Sequence, residues 1–330
     1  MTGTFFAYLS IFLRLSRYAF LLVLFIVLVS CREDLCYNHF GEAEVDFQWP
    51  EAPSSQPVFP EGVTLLVYGD DSEQPIENFL SPTGGNVNFG SGSPRSILIY
   101  NNDTERIRFF GLSEPTTAYA TSTVADRSVS ANIRKLHPDE SALNPPDMLY
   151  AAYIASLPNV GTHEKLELPI DMKELVCTYE VFYDFEYGQK HVVLARGALA
   201  GMAETVLLHN GATPKGGATL LYDCDLAEQG AHVTVLSFGV PGYPESGKDV
   251  RYTRRHTLQL EVKLSNGKVK EFLFDITEQL ANQPRGGVVR VSGLRIEDDE
   301  SSNDSGFDVD VDDWGNQEEV DLPVGGQVNE

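Results

Sequence analysis

Alternation of apolar and polar side chains constrains this chain more than any other feature. Beyond residue 30 no stretch keeps a capped apolar period of 3.6 residues, whereas short alternating runs recur to the end. Ala43–Trp49 is the clearest early case: Val45, Phe47 and Trp49 fall on one face, and Glu44, Asp46 and Gln48 on the other. Strands of this kind must bury one face each. Many of them, spaced by turn residues, predict packed sheets of the sandwich or barrel class. Without residues 1–30 the 330-residue chain leaves 300, and at about 150 residues per domain that predicts two domains. The halves show no sequence repeat, so the expectation is two tandem β-sandwiches without duplication.

Further strands are predicted at Val63–Tyr68, Asn86–Phe89, Ser96–Tyr100, Arg106–Phe110 and Met148–Ile154, the fourth as hairpin partner of the third across Asn101-Asn102-Asp103. A boundary is placed near Pro158–His163, giving domains at 31–160 and 161–330. The second half carries candidates at Val176–Tyr187, Val192–Leu199, Thr205–Leu208, Thr219–Tyr222, Val233–Phe238, Leu258–Leu264 and Val288–Ile296, with a short helix at Ile276–Asn282. Asn266-Gly267 is a strong two-residue hairpin signal. It would pair Leu264 with Val269 and Leu260 with Leu273, leaving Phe272, Phe274 and Ile276 on the opposite face. Either a bulge resets that register or the sheet is covered on both faces.

Acid is concentrated at the end. Thirteen Asp or Glu and no Lys or Arg lie between Glu297 and Glu330. Phe307, Val309 and Val311 nevertheless alternate with aspartates, and Val320, Leu322 and Val324 alternate again, which a disordered tail has no reason to do. The expectation is a solvated acidic loop at 297–306 followed by terminal strands within Phe307–Val324.

At the other end, Arg14 and Arg17 precede an apolar run, Ala19–Val29, that is half the roughly 20 residues a membrane-spanning helix needs. A positive region, a short apolar region and a small residue describe a secretory signal peptide, residues 1–30. Leu28-Val29-Ser30-Cys31 resembles the lipobox of bacterial lipoproteins, which implies diacylglyceryl attachment to Cys31, cleavage before it and acylation of the new amino group. Two or more acyl chains suffice for stable anchoring. Arg32-Glu33-Asp34 resembles the signal that exports such lipoproteins to the outer face of the outer membrane in Bacteroidales. Residues 1–30 hold two basic and no acidic residues, so their removal takes the net charge from −24 to −26. That balance argues against nucleic acid as a partner.

Of the four cysteines, Cys31, Cys36, Cys177 and Cys224, lipidation of the first leaves three. A disulfide between Cys177 and Cys224 is open to the sequence in an oxidising compartment. No cofactor or metal site is expected. Gly242–Lys248 has P-loop spacing, but Asp249 stands where Ser or Thr must bind Mg²⁺ and Pro244 sits inside the loop. Asp308, Asp310 and Asp312 lack the glycine of a calcium loop, since Asp313 holds that position. There is no G-x-S-x-G elbow and no H-E-x-x-H. Arg254-Arg255-His256 reads as the charged start of an exposed strand. Trp49, Tyr150 and Trp314 could line a sugar-binding surface, although buried aromatics are commoner.

Taken together, the lipobox, Cys31-Arg-Glu-Asp34, the Val45-Asp-Phe-Gln-Trp49 strand, Tyr100-Asn-Asn-Asp-Thr-Glu105, Leu199-Ala-Gly-Met202 and the Phe307-x-Val-x-Val-x-x-Trp314 strand resemble the fimbrillin-like lipoproteins of Bacteroidales, and within them an uncharacterised family related to fimbrial anchor and accessory subunits. The resemblance implies an all-β chain of two tandem transthyretin-like Greek-key β-sandwich domains, no enzymatic activity, and a place near the base of a surface fimbria. In that group shaft subunits are cut after a Lys or Arg beyond the lipidated cysteine. The cut removes the first strand and opens a groove for a neighbour's strand. Here no Lys or Arg occurs between Arg32 and Arg95. The expectation is an anchor or accessory subunit that keeps both strand and lipid, with fimbrial subunits as partners by β-strand addition. A glycan-binding surface lipoprotein is the alternative. The terminal strand could pair with a neighbour or close its own sandwich.

Overall fold

The computed structural model describes residues 42–50, 60–69, 74–88, 94–157, 166–214, 216–244 and 254–301. In chain order its first elements are β1 (Glu42–Gln48), β2 (Val63–Gly69), β3 (Ile76–Leu80), β4 (Gly85–Asn88), β5 (Pro94–Asn101), β6 (Ile107–Phe110), β7 (Tyr119–Ser122), helix α1 (Ala131–Leu136), β8 (Ser141–Leu143), β9 (Tyr150–Ile154), β10 (Leu166–Asp171) and β11 (Lys173–Glu174). Then come β12 (Cys177–Tyr187), β13 (Val192–Ala203), β14 (Thr205–Leu207), β15 (Gly217–Ala227), β16 (Gly230–Ser237), β17 (Thr257–Leu264), β18 (Val269–Asp275), helix α2 (Thr277–Ala281), β19 (Gly287–Arg295) and helix α3 (Asp298–Ser301). The all-β expectation of tandem sandwiches holds.

In the first sandwich a sheet ordered β10-β1-β4 faces one ordered β11-β9-β5-β2-β3. Between them lie Ala43, Val45, Phe47, Val63, Leu65, Val67, Ile97, Ile99 and Ile170. The other face of the second sheet is covered too. Leu66, Tyr68, Leu98 and Tyr100 pack on Ile107, Ala120 and Val206 of a third sheet, β14-β7-β6, and on Leu208 and Phe238. Six consecutive residues of β2, Val63–Tyr68, are therefore buried, as in any strand covered on both faces.

The second sandwich is one sheet folded on itself, ordered β18-β17-β13-β15-β16-β12-β19. Strand β15 turns the corner. Its residues up to Cys224 pair with β13, and Asp225–Ala227 pair with β16. Tyr183 crosses the resulting interior, its hydroxyl donating to the Gln259 carbonyl at 2.9 Å and lying 3.0 Å from the Tyr222 hydroxyl. Gly197 makes room for that arrangement, because a Cβ there would stand 2.0 Å from the Tyr222 ring.

Several expectations need correction. Strand β6 does not pair with β5, whose edges are taken by β2 and β9; it pairs with β7 in the third layer. The Asn266-Gly267 hairpin pairs Lys263 with Val269 and Leu260 with Phe272, one residue from the expected register. The Leu264 N–H donates to the Lys268 carbonyl at 2.8 Å and Gly267 takes φ +86°, so a glycine bulge resets the register. Phe272 and Phe274 thereby join the core while Leu273 points outward. The boundary expected at 158–163 lies outside the described residues, but the strands after it do not all join the second sandwich. Strand β10 pairs with β1, and β11 with β9. The chain crosses over at Leu175–Val176, and β14 crosses back to pair with β7.

A Cys177–Cys224 disulfide is also excluded, since both are free thiols. Asp225, next to Cys224, pairs with His232, and His232 with Phe182, which is five residues along β12 from Cys177, or roughly 16 Å at strand rise. A disulfide needs Cα atoms within about 7 Å. Finally, the start of the acidic segment is helical rather than looped. Asp298, Asp299 and Glu300 sit in the first turn of α3, where acidic side chains suit the helix dipole. Lys270 Nζ holds Glu300 at 2.7 Å, and Asn266 Nδ2 donates to its carbonyl at 2.8 Å. The helix thus caps the β17–β18 hairpin.

Candidate functional site

Strand β1 lies in a slot between two neighbours. It runs parallel to β10 through six pairs, from Ala43↔Leu166 to Gln48↔Asp171, and antiparallel to β4 from Glu42↔Asn88 to Val45↔Gly85. Its alternation does what the sequence implies: Ala43, Val45 and Phe47 are 0, 2 and 5 % exposed, and Glu44, Asp46 and Gln48 face water. Burying the Val45 and Phe47 side chains stabilises the strand by about 1.5–3 kcal/mol each. Past its end the strand is pinned. The Met172 N–H donates to the Gln48 carbonyl at 2.9 Å, and Trp49 Nε1 donates to the Pro82 carbonyl at 2.7 Å. The Trp49 ring meets Tyr150 edge-on at 5.3 Å and Phe47 at 6.1 Å. Trp49 and Tyr150 therefore hold each other rather than forming an open platform. The turn before β4 touches β1 through Gly84, φ +100°, whose Cβ would stand 1.9 Å from the Val45 carbonyl oxygen.

A second cluster fastens the chain that returns from the first sandwich to the second. Ser130 caps α1 by accepting from the Ile133 N–H at 3.2 Å, and the helix places His137 and Glu140 against β13 and β17. Glu140 is buried and accepts from His137 Nδ1 at 2.8 Å, Gly201 N–H at 2.9 Å, Thr219 Oγ1 at 2.9 Å and Arg254 Nη2 at 2.9 Å. Burial by itself raises its pKa, but the bonds from His137, Gly201 and Arg254 outweigh burial and hold it at about 2. His137 Nε2 lies 2.9 Å from Thr257 Oγ1, so Thr257, His137 and Glu140 reproduce the connectivity of a hydrolase triad. Thr257 and His137 are 2 and 7 % exposed, which leaves a substrate no approach. The arrangement is a buried clamp.

Arg254-Arg255-His256 is divided by the fold. Arg254 binds Glu140, Arg255 Nε lies 3.2 Å from Asp275 at the surface, and His256 is fully buried. Among the described residues neither His256 ring nitrogen has a hydrogen-bond partner, and burial pushes the imidazole down to about 4. The exposed-strand reading of this cluster is thus wrong for His256.

Among the described residues no group of His, Cys, Asp and Glu could hold a metal ion. A cleft of about 160 Å³ opens between β9 and β10, beside His209 and Asn210; ligand pockets typically hold about 300–1,000 Å³. Cys31, Arg32, Glu33, Asp34, Cys36 and Trp314, the strands expected within Phe307–Val324, and Glu245–Lys248 of the P-loop-like stretch lie outside the described residues. Arg95, the first basic residue after Arg32, lies within β5. Sequence reasoning missed Glu140 and His137, whose partners come from Gly201, Thr219, Arg254 and Thr257. The one local signal was Ser130 as a helix cap.

Comparison with known proteins agrees with this architecture. A Bacteroides ovatus protein named "Putative fimbrium anchoring subunit Fim4B" is 24% identical over 204 residues, covering 60% of this chain and 58% of its own. The chain thus spans little more than half the length of that relative. Among solved structures, a "putative adhesin" from Bacteroides ovatus superposes with TM-score 0.60 at 17% identity, over 78% of this chain and 92% of that one, and so shares the fold. The fimbrial anchor protein Mfa2 from Porphyromonas gingivalis superposes at 0.48 and 10% identity over 76% of this chain and 90% of its own, too distant to carry an argument. No helix of the described residues is long and apolar enough to cross a membrane. The profile of a family described as a domain of unknown function, DUF5119, matches residues 30–223, more than half of the sequence, and the chain belongs to that family.

Proposed function

We propose that this chain is a non-enzymatic anchor or accessory subunit of a fimbria, held at the outer surface of the outer membrane by acyl chains on Cys31. Arg32-Glu33-Asp34 would direct it there. The observation that carries the reading is the setting of β1. It is the central strand of its sheet, and no Lys or Arg lies between Arg32 and Arg95. A trypsin-like cut that removes β1 alone therefore has no site. A cut at Arg95 would fall inside β5 and detach β1 to β4, opening both sheets of the first sandwich. A subunit built this way keeps its first strand and, with it, its tether. The fimbrium anchoring name of the Bacteroides ovatus relative points the same way. The twelve residues from Cys31 to Glu42 span at most about 40 Å, so the first sandwich stays close to the membrane. Its partner would be a fimbrial subunit that joins by strand addition.

Deleting the gene and imaging the cells tests this directly. Fimbriae should be shed or altered in length, and unchanged fimbriae would overturn the anchor role. Cys31→Ser should move the protein from the membrane to the soluble fraction.

A further inference from the structure

We propose that β1 is a shear clamp that carries tension between the membrane tether and the body of the protein. The proposal rests on the tether reading, because load enters β1 at Glu42 only if the chain before it is held. The geometry supplies the rest. Strands β1 and β10 are parallel, so their N-terminal ends lie together and their C-terminal ends lie together. The C-terminal end of β10 continues through Met172 and β11 to the crossing at Leu175, where Arg285 Nη1 donates to the carbonyls of Leu175 and Phe238 at 3.1 and 2.9 Å. The covalent path from the pair into the second sandwich therefore leaves from the C-terminal end of β10, and Glu42 lies at the opposite end. Tension passed along that path between tether and second sandwich acts along the strand axis. It drags β1 lengthwise past β10 and β4, loading all six β10 pairs and four β4 pairs together. The same pair pulled apart from one end would open one rung at a time.

A stopper sits behind the ladder. For β1 to slide toward its N-terminus, Trp49 must leave Pro82 and Tyr150 and enter the narrow slot. Gly84, pressed on the Val45 carbonyl, narrows that slot from the β4 side. Forced opening follows the barrier of the loaded path rather than overall stability, so the direction of load decides the strength.

Single-molecule force spectroscopy on the full chain tests this. The chain is held at its N-terminus, and the second handle is an azido side chain placed at Glu167 or at Asp171, two outward-facing residues of β10. With the handle at Asp171 the pair is sheared; with it at Glu167 the pair is unzipped. The rupture force at Asp171 should be several-fold the force at Glu167 at one loading rate. Equal forces, or a higher force at Glu167, would overturn the proposal. Trp49→Ala should lower the Asp171 force and leave the Glu167 force unchanged; an unchanged Asp171 force would remove the stopper from the account. Unaltered fimbriae in the deletion strain would sink the anchor reading alone, so the two failures are separable.

Discussion

Acid should weaken this protein in two steps that belong to two named residues. The first is His256. Its imidazole ordinarily titrates at 6.5 and is held at about 4, chiefly by burial, with Arg254 and His137 adding to the drop and Glu140 and Asp275 opposing it. The folded state binds the proton later than the unfolded state, so the neutral ring favours folding above pH 6.5. That advantage is lost as pH falls from 6.5 to about 4. Glu140 is the second. It moves from an ordinary 4.5 to about 2, so its contribution is complete above pH 4.5 and is lost as pH falls toward 2. At 1.36 kcal/mol per pH unit each is worth about 3 kcal/mol. Together they rival the net stability of about 5–15 kcal/mol of an ordinary domain. Urea unfolding followed at fixed pH values from 8 to 3 measures the effect. His256→Leu should remove most of the slope between pH 6.5 and 4 and be neutral or stabilising at pH 7, since no hydrogen bond is lost. Glu140→Gln should cost about 3–5 kcal/mol at pH 7, because it leaves Arg254 facing a neutral group, and should reduce the slope below pH 4.5, where Asp275 and Glu300, also lowered, still contribute. A wild-type stability that is level from pH 7 to 4, or a slope that survives His256→Leu, would refute the reasoning.

Two glycines separate strain from collision. Gly267→Ala, at φ +86° with nothing within 4 Å, should cost only the left-handed backbone penalty of about 1–2 kcal/mol. Gly84→Ala adds a collision with the Val45 carbonyl and should lower the melting temperature further; equal shifts would contradict the tight slot. Arg285→Ala leaves the carbonyls of Leu175 and Phe238 without that donor, at about 1–3 kcal/mol each if no water replaces it. Amide exchange at Leu175, whose N–H donates to Leu149, should quicken, and unchanged protection would show that the crossing does not depend on Arg285.

Much of the fold was legible because each strand carries its own pattern. Val45, Phe47 and Trp49 named the buried face of β1, and Leu258–Leu264 named β17 almost to the residue. What was not legible is decided at a distance. Nothing near Arg106–Phe110 reveals that both edges of β5 are already occupied. Asn266-Gly267 locates its turn, yet whether two residues or a bulge close it depends on which of Phe272 and Leu273 the core accepts. Helix α1 is six residues long, too short to display a period, and only Ser130 marks it. The slot of β1 was half legible. Its strand and the missing basic residues could be read, whereas its parallel partner, β10, lies more than a hundred residues on, beyond the expected boundary.

The central claim is that the chain remains whole from its tether through β1. Mass spectrometry of the N-terminal peptide of the protein purified from outer membranes tests it most directly. The peptide should begin at acylated Cys31, and the chain should retain Ala43–Trp49. A chain that begins at Ser96 or elsewhere beyond β1, or an unmodified Cys31, would contradict it.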